Sequence, residues 1–122
     1  MSATAFRAAV EAADIEAGTA LLHDDVVFRS PAVFKPYEGA QTVAHILSTV
    51  FTVFEDFRYT DELAGPDAHA LIFEARVGDR ELQGMDLIRT DAEGRITEFT
   101  VMIRPASGLA ALAQEMGARL GG

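Results

Sequence analysis

The chain has 122 residues, and 10 lysines and arginines against 19 aspartates and glutamates give it a net charge of −9 with neutral histidines. A chain of this length buries about two-thirds of its unfolded surface without a disulfide or structural metal, and it contains no cysteine. Hydrophobic residues at 49% and charged residues at 24% exclude disordered and low-complexity classes, while the acidic balance, with no basic cluster, argues against binding nucleic acid or anionic lipid.

Residues 1–122 read as one domain. Phe6, Val10, Ala13 and Ile15, then Ala17, Leu21 and Leu22, recur at helical spacing, with Gly18 as an interruption, so two short helices are expected. Acids at Glu11, Asp14 and Glu16, with no basic stretch ahead of an apolar one, give no secretory pattern, and a cytoplasmic location is expected. DDVVFRSP changes to a period of two, with Val26, Phe28 and Ser30 on one face and Pro31 at its end, which predicts a first strand. AVFKPYEGAQ, with two prolines and a glycine, reads as a loop. A helix follows from Ala40 to Phe54, with Val43, Ile46, Leu47, Val50, Phe51 and Phe54 as its apolar stripe. That stretch is shorter than the roughly 20 residues a membrane span needs, so no membrane partner is expected.

Four alternating segments come next: FRYTDELA, HALIFEARV, RELQGMDLIRT and RITEFTVMIR. Their links at Ala64–Asp67, Gly78–Asp79 and Asp91–Gly94 are short and turn-rich, which predicts an antiparallel meander. Leu109, Leu112, Met116 and Leu120 form a last helical stripe after Pro105 and Ser107. The order of elements specifies an α+β domain with helices on one face of a curved sheet, an arrangement that leaves an apolar pocket.

Three phrases, ADIEAGTALLHDDVVFRSP, PYEGAQTVAHIL and GMDLIRTDAEGRITEFTV, resemble the SnoaL-like branch of the nuclear transport factor 2-like (NTF2-like) superfamily, from Phe6 to about Leu120. The resemblance implies an NTF2-like cone. In its residues the chain resembles uncharacterised members more than the ketosteroid isomerases, polyketide cyclases or epoxide hydrolases. In the isomerases a Tyr and an Asp donate to an oxyanion while a second Asp moves the proton. Matched through DDVVFRSP, the Tyr position is about Phe6, the base position is Ser30, and only Asp86 retains its counterpart. A serine without a partner base does not shuttle protons at neutral pH. The epoxide hydrolase positions fall near Gly84 and Val101, which cannot do that chemistry, and the cyclases' His/Asp pair would need Asp86 and one of the histidines.

Alternation places Leu82, Gly84, Asp86 and Ile88 on one face, with Phe99, Val101 and Ile103 opposite. Buried there without a cation, Asp86 would stay protonated and donate a hydrogen bond or act as an acid. The opposite parity would expose it beside Arg89 or Arg104. The expected lining adds Phe6, Phe28, Ser30 and Tyr37 from the first half of the chain, then Val50, Phe54, Tyr59, His69 and Phe73. His23, His45 and His69 lack metal-ligand spacing, and GxGxxG, P-loop and GxSxG patterns are absent, so neither metal nor cofactor is expected. Two functions remain open. One is small-molecule binding with isomerase- or cyclase-type acid–base chemistry on a polyketide-like or steroid-like ligand; the other is a non-catalytic binding or dimerisation module. On the other sheet face, Ile72, Met85, Leu87, Thr100 and Met102 among Glu74, Arg76, Arg89 and Arg104 predict a homodimer contact.

Overall fold

The computed structural model describes residues 2–120. In chain order these form α1 (Ser2–Glu11), α2 (Ile15–Thr19), β1 (Leu22–Arg29), β2 (Tyr37–Glu38), α3 (Ala40–Val53), β3 (Glu55–Ala64), β4 (His69–Val77), β5 (Arg80–Thr90), β6 (Ile96–Arg104) and α4 (Ala106–Leu120). The strands make one curved, unclosed sheet in the order β2-β1-β6-β5-β4-β3. β3 to β6 are the expected antiparallel meander, and β1 joins β6 in parallel.

The meander turns have local causes. Gly78 and Gly94 sit at φ 61° and 83°, in the left-handed region that a residue with a Cβ enters at a cost. The Asp91 side chain accepts from the backbone N–H groups of Arg95 and Glu93, both at 2.9 Å, and these bonds, Arg95's first, hold its carboxyl below the usual range.

Several boundaries differ from expectation. The break between the first helices falls at Ala12–Asp14, because Ala13 turns left-handed (φ 58°) and the Asp14 side chain caps α2 by accepting from Ala17 N–H at 3.2 Å. Gly18 lies inside α2, and Leu22 begins β1. The segment read as a loop contains β2, whose two residues pair with Val27 and Phe28 and are too few to carry a period. α4 starts at Ala106, ahead of the stripe that announced it.

Helix docking places the site. α1 buries Ala3, Phe6 and Ala9, with the Phe6 ring edge-on to Phe99 at 5.2 Å between centroids. α3 buries Val43, Ile46, Leu47 and Val53 but leaves Val50 and Phe51, and Phe54 at its C-cap, half-buried. α4 crosses the other end of the sheet at Gly108, where a Cβ would lie 2.8 Å from both the Glu81 carbonyl oxygen and the Leu82 Cβ. Only glycine allows so close an approach. No helix of the described residues is long and apolar enough to cross a membrane.

Candidate functional site

A cavity of about 300 Å³ lies between the concave sheet face, α3 and α4, near the lower end of the range for small-molecule sites. The sheet contributes Phe28, Phe57, Phe73, Asp86, Phe99, Val101 and Ile103. From α3 come Ile46, Leu47, Val50 and Phe51, with Phe54 at its C-cap, and from α4 Leu109, Leu112, Ala113, Met116, Gly117 and Leu120. Ser30, Pro31, Ala32, Val33 and Tyr37 complete the lining after β1. The half-buried apolar residues of α3 are therefore facing this space.

Asp86 is 5% exposed, between Leu71 on β4 and Val101 on β6, and it lines the cavity. No hydrogen bond from the described residues reaches its carboxyl. Burial pushes its pKa up to about 8, so near neutrality it is mainly the uncharged acid. The cations that the opposite parity would have paired with it are engaged elsewhere: Arg89 donates to the Asp67 carbonyl at 3.2 Å, and Arg104 to Gln83 at 3.4 Å. Ser30 Oγ accepts from the Ala32 N–H at 3.0 Å and stabilises the turn after β1.

Gly84, two residues before Asp86 on the same face, shapes the wall. It pairs with Phe73, and a Cβ on it would fall 2.2 Å from the Phe73 Cζ. With no side chain there, the Phe73 ring lies across the strand. It stacks on Phe57 at 5.0 Å between centroids and meets Phe54 at 5.6 Å.

The structure brings Phe28, Ser30, Tyr37, Val50, Phe54, Phe73, Asp86, Phe99, Val101 and Ile103 to the lining. Phe6, Tyr59, His69 and Ile88 are instead buried outside it, because α1 covers that end of the sheet. Tyr59 packs edge-on against Phe57 at 4.9 Å, beneath the Arg7 guanidinium at 5.5 Å, with its hydroxyl buried and unpartnered among the described residues. Burial, and secondarily the Asp86 charge, raise the Tyr59 pKa, so the phenol stays neutral. His69 Nε2 bonds the Glu62 carboxylate at 2.8 Å, and the same carboxylate accepts from Thr4 at 2.8 Å and Arg7 at 3.2 Å. This network ties α1 to β3 and β4, which occupies His69 as a structural anchor and leaves no His/Asp pair converging in the cavity.

The hydrogen bond from His69, followed by that from Thr4, lowers the Glu62 pKa. Glu62 therefore contributes stability above its unfolded pKa and loses it as pH falls through the folded value. Glu62→Leu is expected to cost about 2 kcal/mol at pH 7, because it strands a buried ring nitrogen. In urea denaturation, the gap from wild type should narrow as pH drops through the carboxylate range; a gap that ignores pH would refute the anchor.

Sequence reasoning missed Phe57, Ile46, Leu47, Phe51, residues 31–33 and all of the α4 lining. The helical stripes were visible, but which stripe faces a cavity depends on how the helices dock. No group of three or more His, Asp or Glu among the described residues is placed to hold a metal ion.

A SnoaL-like domain model matches residues 3–99. The chain belongs to the SnoaL-like family. Within the wider NTF2-like superfamily, this SnoaL-like chain is similar to a crystal structure from Pseudomonas aeruginosa described as a steroid delta-isomerase. The two share 50% identity over 98% of this chain and 89% of that one, at a TM-score of 0.94. A protein with a cystatin-like fold from Silicibacter pomeroyi shares 33% identity over 98% of this chain and 85% of that one, at a TM-score of 0.92. A structure from Kribbella flavida described as a putative ketosteroid isomerase is 20% identical over 86% of this chain and 76% of that one; its TM-score of 0.71 shows a likeness of fold. No protein with a curated description matches the sequence.

Proposed function

We propose that residues 1–122 act as one ligand-binding domain whose cavity takes a small, rigid, largely apolar molecule with a single hydrogen-bond acceptor, and that protonated Asp86 donates to that acceptor. The observation that carries this reading is a buried carboxyl, with no hydrogen-bond partner among the described residues, in a cavity otherwise walled almost wholly by apolar and aromatic side chains. Ser30 and Tyr37 are the other side-chain hydrogen-bonding groups of the lining, and neither is a base at neutral pH. The site is thus equipped to bind and polarise a carbonyl. Isomerase-type turnover is the second reading, favoured by the 50% identity to the Pseudomonas aeruginosa protein described as a steroid delta-isomerase. It requires a proton acceptor in the position of Ser30, and for that reason binding is the primary assignment.

The outer face of the sheet is the surface we assign to self-association: Met102 is 51% exposed, and Ile72, Met85 and Leu87 are half-buried among Glu74, Arg76, Arg89 and Arg104.

A neutral aromatic ketone, 2-acetylnaphthalene, tests the binding site. Its affinity for the wild type should be constant below the Asp86 pKa and fall at least about tenfold by pH 10, as the donor becomes an anion. Asp86→Ala should lose about tenfold at pH 7 and show no pH dependence, while Asp86→Asn, which keeps an N–H donor, should bind within a few-fold of wild type at all pH values. A chelator should change nothing, and salt very little. Equal affinity in wild type and Asp86→Ala at pH 7 would overturn the assignment.

A further inference from the structure

Phe34 is fully exposed on the loop between β1 and β2, the most solvent-accessible of the large apolar side chains on the described surface. Val33 beside it is 46% exposed, and Met102 on β6 is 51% exposed. These three residues line one groove of about 500 Å³ between the loop and β6. The groove shares Ser30, Pro31, Val33, Val101 and Ile103 with the lining of the cavity, so whatever fills it lies against the cavity wall.

Two charges close in sequence to groove residues, though not in its lining, lack partners. Lys35, the only lysine of the chain, and Glu38 on β2 are both exposed, and neither lies within 4.0 Å of an opposite charge among the described residues. Eight of the nine arginines do have an acid within that distance, which sets Lys35 apart. An anionic lipid surface would attract Lys35 but set like charge against Glu38. A second copy related by a two-fold axis satisfies every feature at once, since an isologous contact applies each complementarity twice. The aromatic knob lines the apolar groove, and the unpaired cation and anion stand one and two residues from its lining residues Phe34 and Pro36.

We propose that the loop Pro31–Pro36 is an arm, which seats Phe34 in the groove of a second copy and sets Lys35 against that copy's Glu38, so that each subunit helps to close the other's cavity mouth. This extends the outer-face contact proposed above, because Met102 belongs to both surfaces, and it rests on that contact and on the cavity binding an apolar ligand.

Sedimentation equilibrium, paired with the dissociation rate of the neutral fluorophore 1-aminoanthracene, tests it on the full chain. The wild type should be a dimer at micromolar concentration. Phe34→Ser should weaken the dimer about a hundredfold, two seats being lost, and Lys35→Glu at least tenfold. Lys35→Glu combined with Glu38→Lys should restore the affinity to within about threefold, because the swapped charges still meet across the axis. Release of the fluorophore should quicken about tenfold in Phe34→Ser. Since Phe34 is fully exposed in the single subunit, that variant should keep the wild-type circular dichroism and melt like wild type diluted to the monomer.

If the wild type is dimeric and both single variants match it, the arm is overturned while the outer-face contact survives. A 13.1 kDa species alone at micromolar concentration overturns both. A weakened dimer with unchanged fluorophore release overturns the closure of the mouth. Failure of 1-aminoanthracene to bind any form would count against the ligand-binding reading and against mouth closure, while the sedimentation data would still decide the arm.

Discussion

Asp86→Asn should stabilise the protein by an amount that grows with pH, from under about 1 kcal/mol at pH 4 to the order of 5 kcal/mol at pH 9. Burial pushes the folded-state pKa of Asp86 up to about 8, far above that of an aspartate in water. Between those values the native state keeps a proton that the unfolded chain has released, so raising the pH favours unfolding. The penalty is absent below the unfolded pKa and complete once pH exceeds the folded one. Asparagine has a similar shape but does not ionise, so the difference between the two stability profiles isolates this one group. Urea denaturation of both proteins from pH 4 to pH 9 reads it directly, and parallel profiles would mean that Asp86 is charged in the folded protein. The wild type already carries most of the cost at pH 7. A residue that opposes folding in this way, at the wall of an apolar cavity, supports the ligand-recognition role proposed for Asp86.

Gly84→Ala should cost about 2–3 kcal/mol and reduce 1-aminoanthracene binding at least tenfold. Alanine suits extended backbone as well as glycine does, so the cost comes from the methyl group, which would stand 2.2 Å from the Phe73 Cζ with Cε2 and Cε1 at 2.7 and 2.8 Å. Phe73 cannot yield freely, because its ring is held between Phe54 and Phe57. A ring driven aside would enter the cavity. In a Phe73→Val background the obstacle is gone, and adding Gly84→Ala should then cost almost nothing, a coupling of about 2 kcal/mol between the two positions. Additive effects, or a neutral Gly84→Ala, would show that the bare strand position does not shape the wall.

Strand periodicity made the two faces of β5 legible but not which of them is inward. RELQGMDLIRT and RITEFTVMIR carry apolar residues on both faces, and the observed register turns one set inward, pairing Gly84 with Ile103, Asp86 with Val101 and Ile88 with Phe99. Where the period breaks, legibility ends. β3 shifts register between Tyr59 and Asp61, so the positions of Tyr59 and Glu62 relative to the cavity could not be counted from sequence. His69 has the parity of Leu71 and Phe73, but parity gives a face and not a place along the strand. Arg7 and Thr4 of α1, meeting Glu62 there, decide that His69 is an anchor. The stripe of α4 was plain in Leu109, Leu112, Met116 and Leu120, whereas its role as a cavity wall depends on the glycine contact at Gly108 with Glu81 and Leu82, which no local pattern announces.

The central claim is that Asp86 is an uncharged hydrogen-bond donor facing an apolar cavity, and its carboxyl carbon reports this directly. In a ¹³C-detected NMR titration of the wild type, with Asp86→Asn used to assign the resonance, the Asp86 carboxyl signal should stay at its protonated position through pH 6 and move with a midpoint near 8. A midpoint near 4, in the range of an exposed aspartate, would contradict the account.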